Sequence, residues 1–235
     1  MPTSQTLSRG VQVLEIVAAA PSALSIADVA AQLEVHRSIA YRIIRTLEQH
    51  RLLSRDETGH IRPAAGLSVL ARSVQRDLEN AAAPELAALA NQLSMTAFLA
   101  VWEHDVCTTL QSAQPRQECK IMEHRAGSVH SMDLGADSIA IQSLFTKEQW
   151  KAKESGIEYH AQAREARIDG YACTQDEVSP GASCIAVPII SQHCAPATLA
   201  VLYPTSLQPE REGIVRALKE AALNITEALE ERSGA

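Results

Sequence analysis

The chain has 235 residues, 46% of them hydrophobic and only 3% aromatic, and a formal net charge of −7. That length suits a small domain joined to a larger one, each with enough apolar material for a core. There is no uninterrupted apolar run of about 18 residues and no basic N-terminal stretch followed by an apolar one, so the sequence predicts neither a membrane span nor a signal peptide, and a cytoplasmic location.

Charge is divided unevenly. Residues 1–62 hold seven arginines, no lysine and six acids, a net of +1, whereas residues 63–235 hold 14 basic and 22 acidic side chains, a net of −8. Such asymmetry points to two domains with different partners. Arginine presents a planar fork to phosphate or guanine, so the positions of these arginines matter more than the small net charge. The five cysteines, Cys107, Cys119, Cys173, Cys184 and Cys194, are odd in number and form no Cys-x-x-Cys pair. This argues against a disulfide framework or a zinc knuckle and predicts reduced thiols.

In chain order, Leu7, Val11, Leu14 and Val17 recur at helical spacing until Pro21, which predicts a helix over about residues 6–20. Ser25 followed by Asp28 reads as a capping-box start for a short second helix with Ile26, Val29, Ala30 and Leu33 inward. Glu34-Val35-His36 makes a turn, and a third helix runs from about Arg37 to His50 with Ala40, Ile43, Ile44 and Leu47 inward. Leu52–Arg55, a tip at Asp56–Gly59 and His60–Arg62 complete a hairpin. Three helices and a hairpin outline a winged helix-turn-helix.

The apolar stripe of the third helix leaves Arg37, Ser38, Tyr41, Arg42 and Arg45 on its other face, where a DNA major groove could receive them. Ser38 and Arg42 are assigned to phosphate and Arg37, Tyr41 and Arg45 to base edges; Arg55 and Arg62, on the hairpin, are assigned to the backbone or minor groove. Arginines on a helix face are also common as plain solvated surface, but the adjoining Arg-flanked hairpin favours DNA.

Leu7-Ser8-Arg9-Gly10-Val11-Gln12-Val13-Leu14-Glu15 resembles the opening helix of the IclR family of bacterial transcriptional regulators, and Arg37-Ser38-Ile39-Ala40-Tyr41-Arg42-Ile43-Ile44-Arg45-Thr46-Leu47 resembles its recognition helix. The resemblance extends over nearly the whole chain. Ile39 departs from it, standing where the family usually has Thr, which a side chain without a hydrogen-bonding group cannot replace in reading an operator.

After the first domain, residues 1–63, apolar positions 67, 70, 71 and 74 form a helical stripe, predicting a linker helix over 64–76. Residues 77–235 then read as an α+β domain. A helix is predicted over 82–93, with Pro84 in its first turn, followed by strands at Thr96–Trp102, Val106–Ser112, Lys120–Glu123, Cys184–Ile190 and Pro196–Tyr203. Helices are predicted at Ser138–Phe145, Ala161–Ile168 and Glu210–Glu231. The resemblance implies a GAF-like effector-binding fold for this domain, with a pocket for a small organic effector, commonly a carboxylate. Two segments correspond to the family's pocket elements. The turn Leu134-Gly135-Ala136-Asp137-Ser138 leads into a helix, and Ser183 and Cys184 lie on opposite faces of a strand after a Pro-Gly turn. Gly135, Ala136, Asp137, Ser183 and Cys184 are therefore the effector-binding candidates. The family's Gly-Lys-Ala run is altered here to Asp137-Ser138-Ile139-Ala140.

No nucleophile–base spacing and no His-x-x-x-His or Glu-x-x-His pattern accompanies these residues, so the sequence predicts neither an enzyme nor a metal or other cofactor. The expected protein is a DNA-binding regulator with double-stranded operator DNA, a small organic effector and a second copy of itself as partners. Half-sites on one face of DNA call for a homodimer, which contacts between effector domains could extend to a tetramer. The competing reading is a small-molecule binding protein or enzyme whose N-terminal helices mediate protein contacts only.

Overall fold

The computed structural model describes residues 4–71, 74–103, 105–116, 122–153 and 156–233. By its contacts the chain divides into two compact units, Met1–Val74 and Gln75–Ala235.

The first unit contains α1 (Gln5–Ala19), α2 (Ile26–Gln32), α3 (Arg37–Gln49), β1 (Leu53–Arg55), β2 (Ile61–Pro63) and α4 (Gly66–Ala71). Its core is a cluster of Val13, Val17, Val29, Ile43, Ile44, Leu53 and Ile61. The start of α2 is fixed by a capping box: Ser25 Oγ accepts the Asp28 N–H at 3.2 Å and the Asp28 carboxylate accepts the Ser25 N–H at 2.9 Å. Glu34, at φ 53°, makes the left-handed step that turns the chain toward α3. The cap of α3 is His36, whose Nδ1 accepts the Ser38 N–H at 3.3 Å. In the β1–β2 hairpin Ser54 stands opposite Arg62. The Asp56 carboxylate ties its tip by accepting the N–H groups of Thr58 and His60, each at 2.9 Å. Leu24 adds a bridge to Ile61, widening the ladder by one short segment. Gly66 closes the unit: its N–H donates to the Arg51 carbonyl at 3.0 Å, and a Cβ there would lie 2.3 Å from that oxygen.

The segment expected as a continuous helix over 64–76 is different. Helix α4 ends at Ala71, Arg72 and Ser73 lie outside the described residues, and Gln75, at φ 46°, precedes the next helix. A left-handed residue cannot continue a right-handed helix, so the apolar stripe at 67, 70, 71 and 74 does not run on through Gln75.

The second unit contains α5 (Arg76–Leu93), β3 (Thr96–Glu103), β4 (Val106–Ala113), β5 (Val129–Ser131), α6 (Ala136–Gln142), α7 (Lys147–Lys151), α8 (Ala163–Asp169), β6 (Ala172–Gln175), β7 (Ala182–Ile189), β8 (Ala197–Pro204) and α9 (Arg211–Ser233). Its strands form one antiparallel sheet in the order β5-β4-β3-β8-β7-β6. Both faces are covered, which explains why the central strands read as near-continuous apolar runs. Leu99, Val101, Ile185, Val187, Leu199 and Val201 pack with α5 and α9 on one face. The alternate residues Phe98, Ala100, Cys184, Ala186 and Ala200 pack against α6 and its neighbours on the other.

Three expectations change here. Pro84 sits about two turns inside α5 rather than in its first turn, because Leu78 and Ala81 are buried and extend the helix N-terminally. Of the strand expected at Lys120–Glu123, Lys120 and Ile121 lie outside the described residues; Met122 and Glu123 are irregular, and the Met122 carbonyl accepts the Thr96 hydroxyl at 2.7 Å. The edge beside β4 is instead β5, three residues long, and the far edge is β6. Both are too short to show a period of two.

Candidate DNA-binding face and ligand cavity

The buried side of α3 is Ala40, Ile43 and Ile44. Helical geometry then presents Arg37, Ser38, Tyr41, Arg42 and Arg45 together on the exposed side. Arg37, Arg42 and Arg45 make no ion pair or side-chain hydrogen bond among the described residues, so their guanidinium groups stand ready for an external anion. Ser38 is held differently, its hydroxyl 2.8 Å from His36 Nδ1. The hairpin arginines are also engaged. Arg55 donates to both carboxylate oxygens of Glu48, at 2.6 and 3.3 Å, with its guanidinium 5.9 Å from the Tyr41 ring centre. Arg62 Nε donates to Ser54 Oγ at 3.3 Å. Both therefore brace the hairpin, Arg55 against α3 and Arg62 across the two strands. Ile39 is half-buried against the core and lines a surface pocket together with Arg9 and Arg42.

In the second unit, α6 opens at Gly135, whose φ of 90° is in the left-handed range. A Cβ at that position would lie 2.6 Å from Asp137 Oδ1, 2.9 Å from Val178 and 3.1 Å from His130 Nε2. Glycine is thus required both by the backbone and by the crowding of side chains around it. Phe98, His124, His130, Gly135, Asp137, Thr174, Glu177 and Cys184 are among the residues lining a cavity of about 40 Å³ here. That is room for a water molecule and not for an organic acid.

Of the five residues expected at an effector pocket, Gly135, Asp137 and Cys184 line this cavity, whereas Ala136 and Ser183 do not. Ser183 lies on the other face of β7 from Cys184, with its hydroxyl 3.1 Å from Thr205 Oγ1. The N–H groups expected to receive a carboxylate already have acceptors. Gly135 N–H donates to Glu177 Oε2 and Ala136 N–H to Thr174 Oγ1, both at 3.1 Å. Asp137 is 4% exposed. Its Oδ1 lies 3.1 Å from His130 Nε2 and accepts the Ser138 N–H at 3.1 Å, while its Oδ2 accepts from Cys107 Sγ at 3.5 Å.

Burial decides the titration of these groups. It raises the Asp137 carboxyl above the usual range, against the pull of His130. Burial likewise pushes the Cys107 thiol far up, reinforced by Asp137, and the Cys184 thiol far up, again reinforced by Asp137. His124 is lowered by burial and then by His130. A nucleophilic cysteine needs the opposite shift, so neither thiol is prepared for covalent catalysis.

Residues 6–57 match the model of the IclR helix-turn-helix domain. The first unit is thus similar to an IclR helix-turn-helix domain. Solved structures extend the likeness in fold to nearly the full length. An IclR transcriptional regulator from Alicyclobacillus acidocaldarius superposes with a TM-score of 0.81 at 24% identity, covering 97% of this chain and 100% of that one. The Thermotoga maritima IclR gives 0.75 at 20% identity, covering 95% and 98%. An IclR homolog from Microbacterium hydrocarbonoxydans, solved with 4-hydroxybenzoate, gives 0.81 at 22% identity, covering 97% and 100%. No curated protein matches the sequence significantly.

In the first unit the exposed α3 side chains come together as the helical period requires. Sequence reasoning missed His36 as the cap of α3 and Glu48 as the partner of Arg55. It also gave no binding role to His124, His130, Thr174 and Glu177, which line the cavity, or to Cys107 beside Asp137. The Cys107–His130 neighbourhood depends on their being cross-strand partners in β4 and β5, and β5 was not foreseen.

Proposed function

We propose that this IclR-type protein regulates transcription by binding operator DNA through α3, Arg55 and Arg62, and that a small organic effector in the second unit modulates that binding. The observation that carries the first half is the set of guanidinium groups of Arg37, Arg42 and Arg45, exposed and without internal ion pairs, on the helix that an IclR helix-turn-helix inserts into DNA. Arg42 and Ser38 serve as phosphate contacts, and Arg37, Tyr41 and Arg45 read base edges. With a net of only +1 over residues 1–62, one copy has little general affinity for DNA. Pairing supplies the rest: two copies on half-sites about 34 Å apart bind with an avidity that neither has alone. The dimer, or a tetramer of such pairs, is held through the second unit. The effector acts by preferring one of two arrangements of the paired units, and shifts their populations only by that preference.

For the effector we favour an organic acid, the class to which 4-hydroxybenzoate, found in the Microbacterium homolog, belongs. Such a molecule enters by opening the cavity beside Gly135 and taking the Gly135 N–H from Glu177.

Fluorescence anisotropy of DNA fragments flanking the gene, titrated at several salt concentrations, tests the DNA-binding reading. Salt-sensitive binding is expected, with its loss in Arg42→Ala plus Arg45→Ala. Salt-insensitive binding, or binding the double variant retains, sinks the proposal. A thermal-shift screen of organic acids tests the effector. A ligand at a hundred times its dissociation constant stabilises by about 2.7 kcal/mol, and a screen without such a response would show the cavity to be closed to this class.

A further inference from the structure

We propose that Cys107, His130 and Asp137 form a binding site for a divalent transition-metal ion of the zinc class. The sulfur of Cys107, a ring nitrogen of His130 and a carboxylate oxygen of Asp137 lie within 4.8 Å of one another. Two of the separations are close to what coordination needs: 3.1 Å from His130 Nε2 to Asp137 Oδ1 and 3.5 Å from Cys107 Sγ to Asp137 Oδ2. Zinc bonds of about 2.0–2.3 Å at tetrahedral angles hold ligand atoms roughly 3.4–3.6 Å apart. These two distances run to different oxygens of Asp137, and the three donor atoms lie within 4.8 Å of one another, so an ion draws them together by side-chain adjustments of up to about 1 Å.

The fold brings these donors together by two independent devices. Antiparallel pairing of β4 with β5 sets Cys107 directly opposite His130, and the first turn of α6 lowers Asp137 onto the pair. Gly135 permits this approach, since a side chain there would stand in the space between Asp137 Oδ1 and His130 Nε2. The donor set also has a preference. One thiolate, one imidazole and one carboxylate suit zinc and its neighbours and reject magnesium and calcium, which take oxygen ligands. A cation among them compensates a carboxylate that is only 4% exposed. Ser138, wholly buried at the same corner, has a hydroxyl with no hydrogen-bond partner among the described residues.

On binding, the ion replaces the proton on Cys107 Sγ, which leaves to solvent, and His130 coordinates through Nε2 as the neutral ring. No electron is transferred. Because His130 and Asp137 also line the cavity, the fourth coordination position faces it, and three protein ligands with one open position are the arrangement of an accessible zinc site.

The test uses the full-length protein, stripped with a chelator, kept reduced and titrated with Co²⁺ followed by Zn²⁺. Expected are saturation at one ion per chain, a thiolate-to-cobalt charge-transfer band in the near ultraviolet, visible bands of four-coordinate cobalt, and displacement of all of these by Zn²⁺. Cys107→Ser removes the near-ultraviolet band, whereas Cys184→Ser and Cys194→Ser keep it. Asp137→Asn, nearly isosteric, weakens Zn²⁺ more than about tenfold, the loss that even an outer-shell change produces. A wild-type protein without the charge-transfer band overturns the site, and this needs no variant to fold. Persistence of the band in Cys107→Ser, or undiminished affinity in Asp137→Asn with a native circular dichroism spectrum, overturns it as well. The readout involves no DNA, so its failure leaves the regulator reading intact, and loss of that reading leaves the metal site intact.

Discussion

Gly135 ties backbone conformation to side-chain chemistry at one atom. Its φ of 90° is costly for any residue with a Cβ, and that Cβ would collide with Asp137 and Val178. Gly135→Ala is expected to cost about 1–3 kcal/mol from the backbone alone, with the crowding added to it. Differential scanning calorimetry should show the melting of the second unit lowered; an unchanged melting temperature would mean that Asp137 and Val178 yield freely. The glycine was legible in the sequence as a turn residue, but its neighbours were not. Val178 is distant in sequence, and His130, though only five residues away, sits on the short strand β5 that no local signal marks. Ser183 and Cys184 show the same limit from another side. Their alternation on a strand is plain from the period of two, yet the face that meets the cavity depends on where α6 packs.

At the scale of elements, the sequence is most readable where local chemistry fixes an end. The capping box of Ser25 and Asp28 starts α2 where the pattern Ser-x-x-Asp places it, and both hydrogen bonds are present. Helix α2 is only seven residues long and cannot sustain itself, so its cap carries a large share of its local order. Removing the Ser25 hydroxyl in Ser25→Ala is expected to destabilise the first unit by about 1 kcal/mol. Urea unfolding measures the loss, and hydrogen exchange should place it in α2; equal protection of α2 in both proteins would show that packing alone holds the helix. Elements without such local signals were misread. The strand β5 is three residues whose pairing with β4 is decided by register, and α5 begins earlier than expected because buried Leu78 and Ala81 outweigh the proline that follows them. In both cases tertiary contact overrides a local rule.

For the whole molecule, the decisive property is that the two units have separate cores. The first is built from Val13, Val17, Val29, Ile43, Ile44, Leu53 and Ile61, and the second from two clusters on either side of its sheet. A unit as small as the first buries a modest fraction of its apolar surface and has little stability in reserve. Ile44 is fully buried, and truncating it to Ala removes methyl groups from a core that cannot close around the gap, at a cost of about 2–5 kcal/mol. A loss of that size is a large fraction of what holds a small domain folded. Ile44→Ala is therefore expected to abolish operator binding and to erase hydrogen-exchange protection in α1–α3. The near-ultraviolet cobalt band of the second unit and that unit's melting should be unchanged. If the second transition falls together with the first, the units share stability and a signal could pass between them by folding alone. If it stays, the communication proposed between effector and DNA must run through the arrangement of two intact bodies, and the segment joining Ala71 to Arg76 becomes the place where substitutions should uncouple effector binding from DNA binding without weakening either.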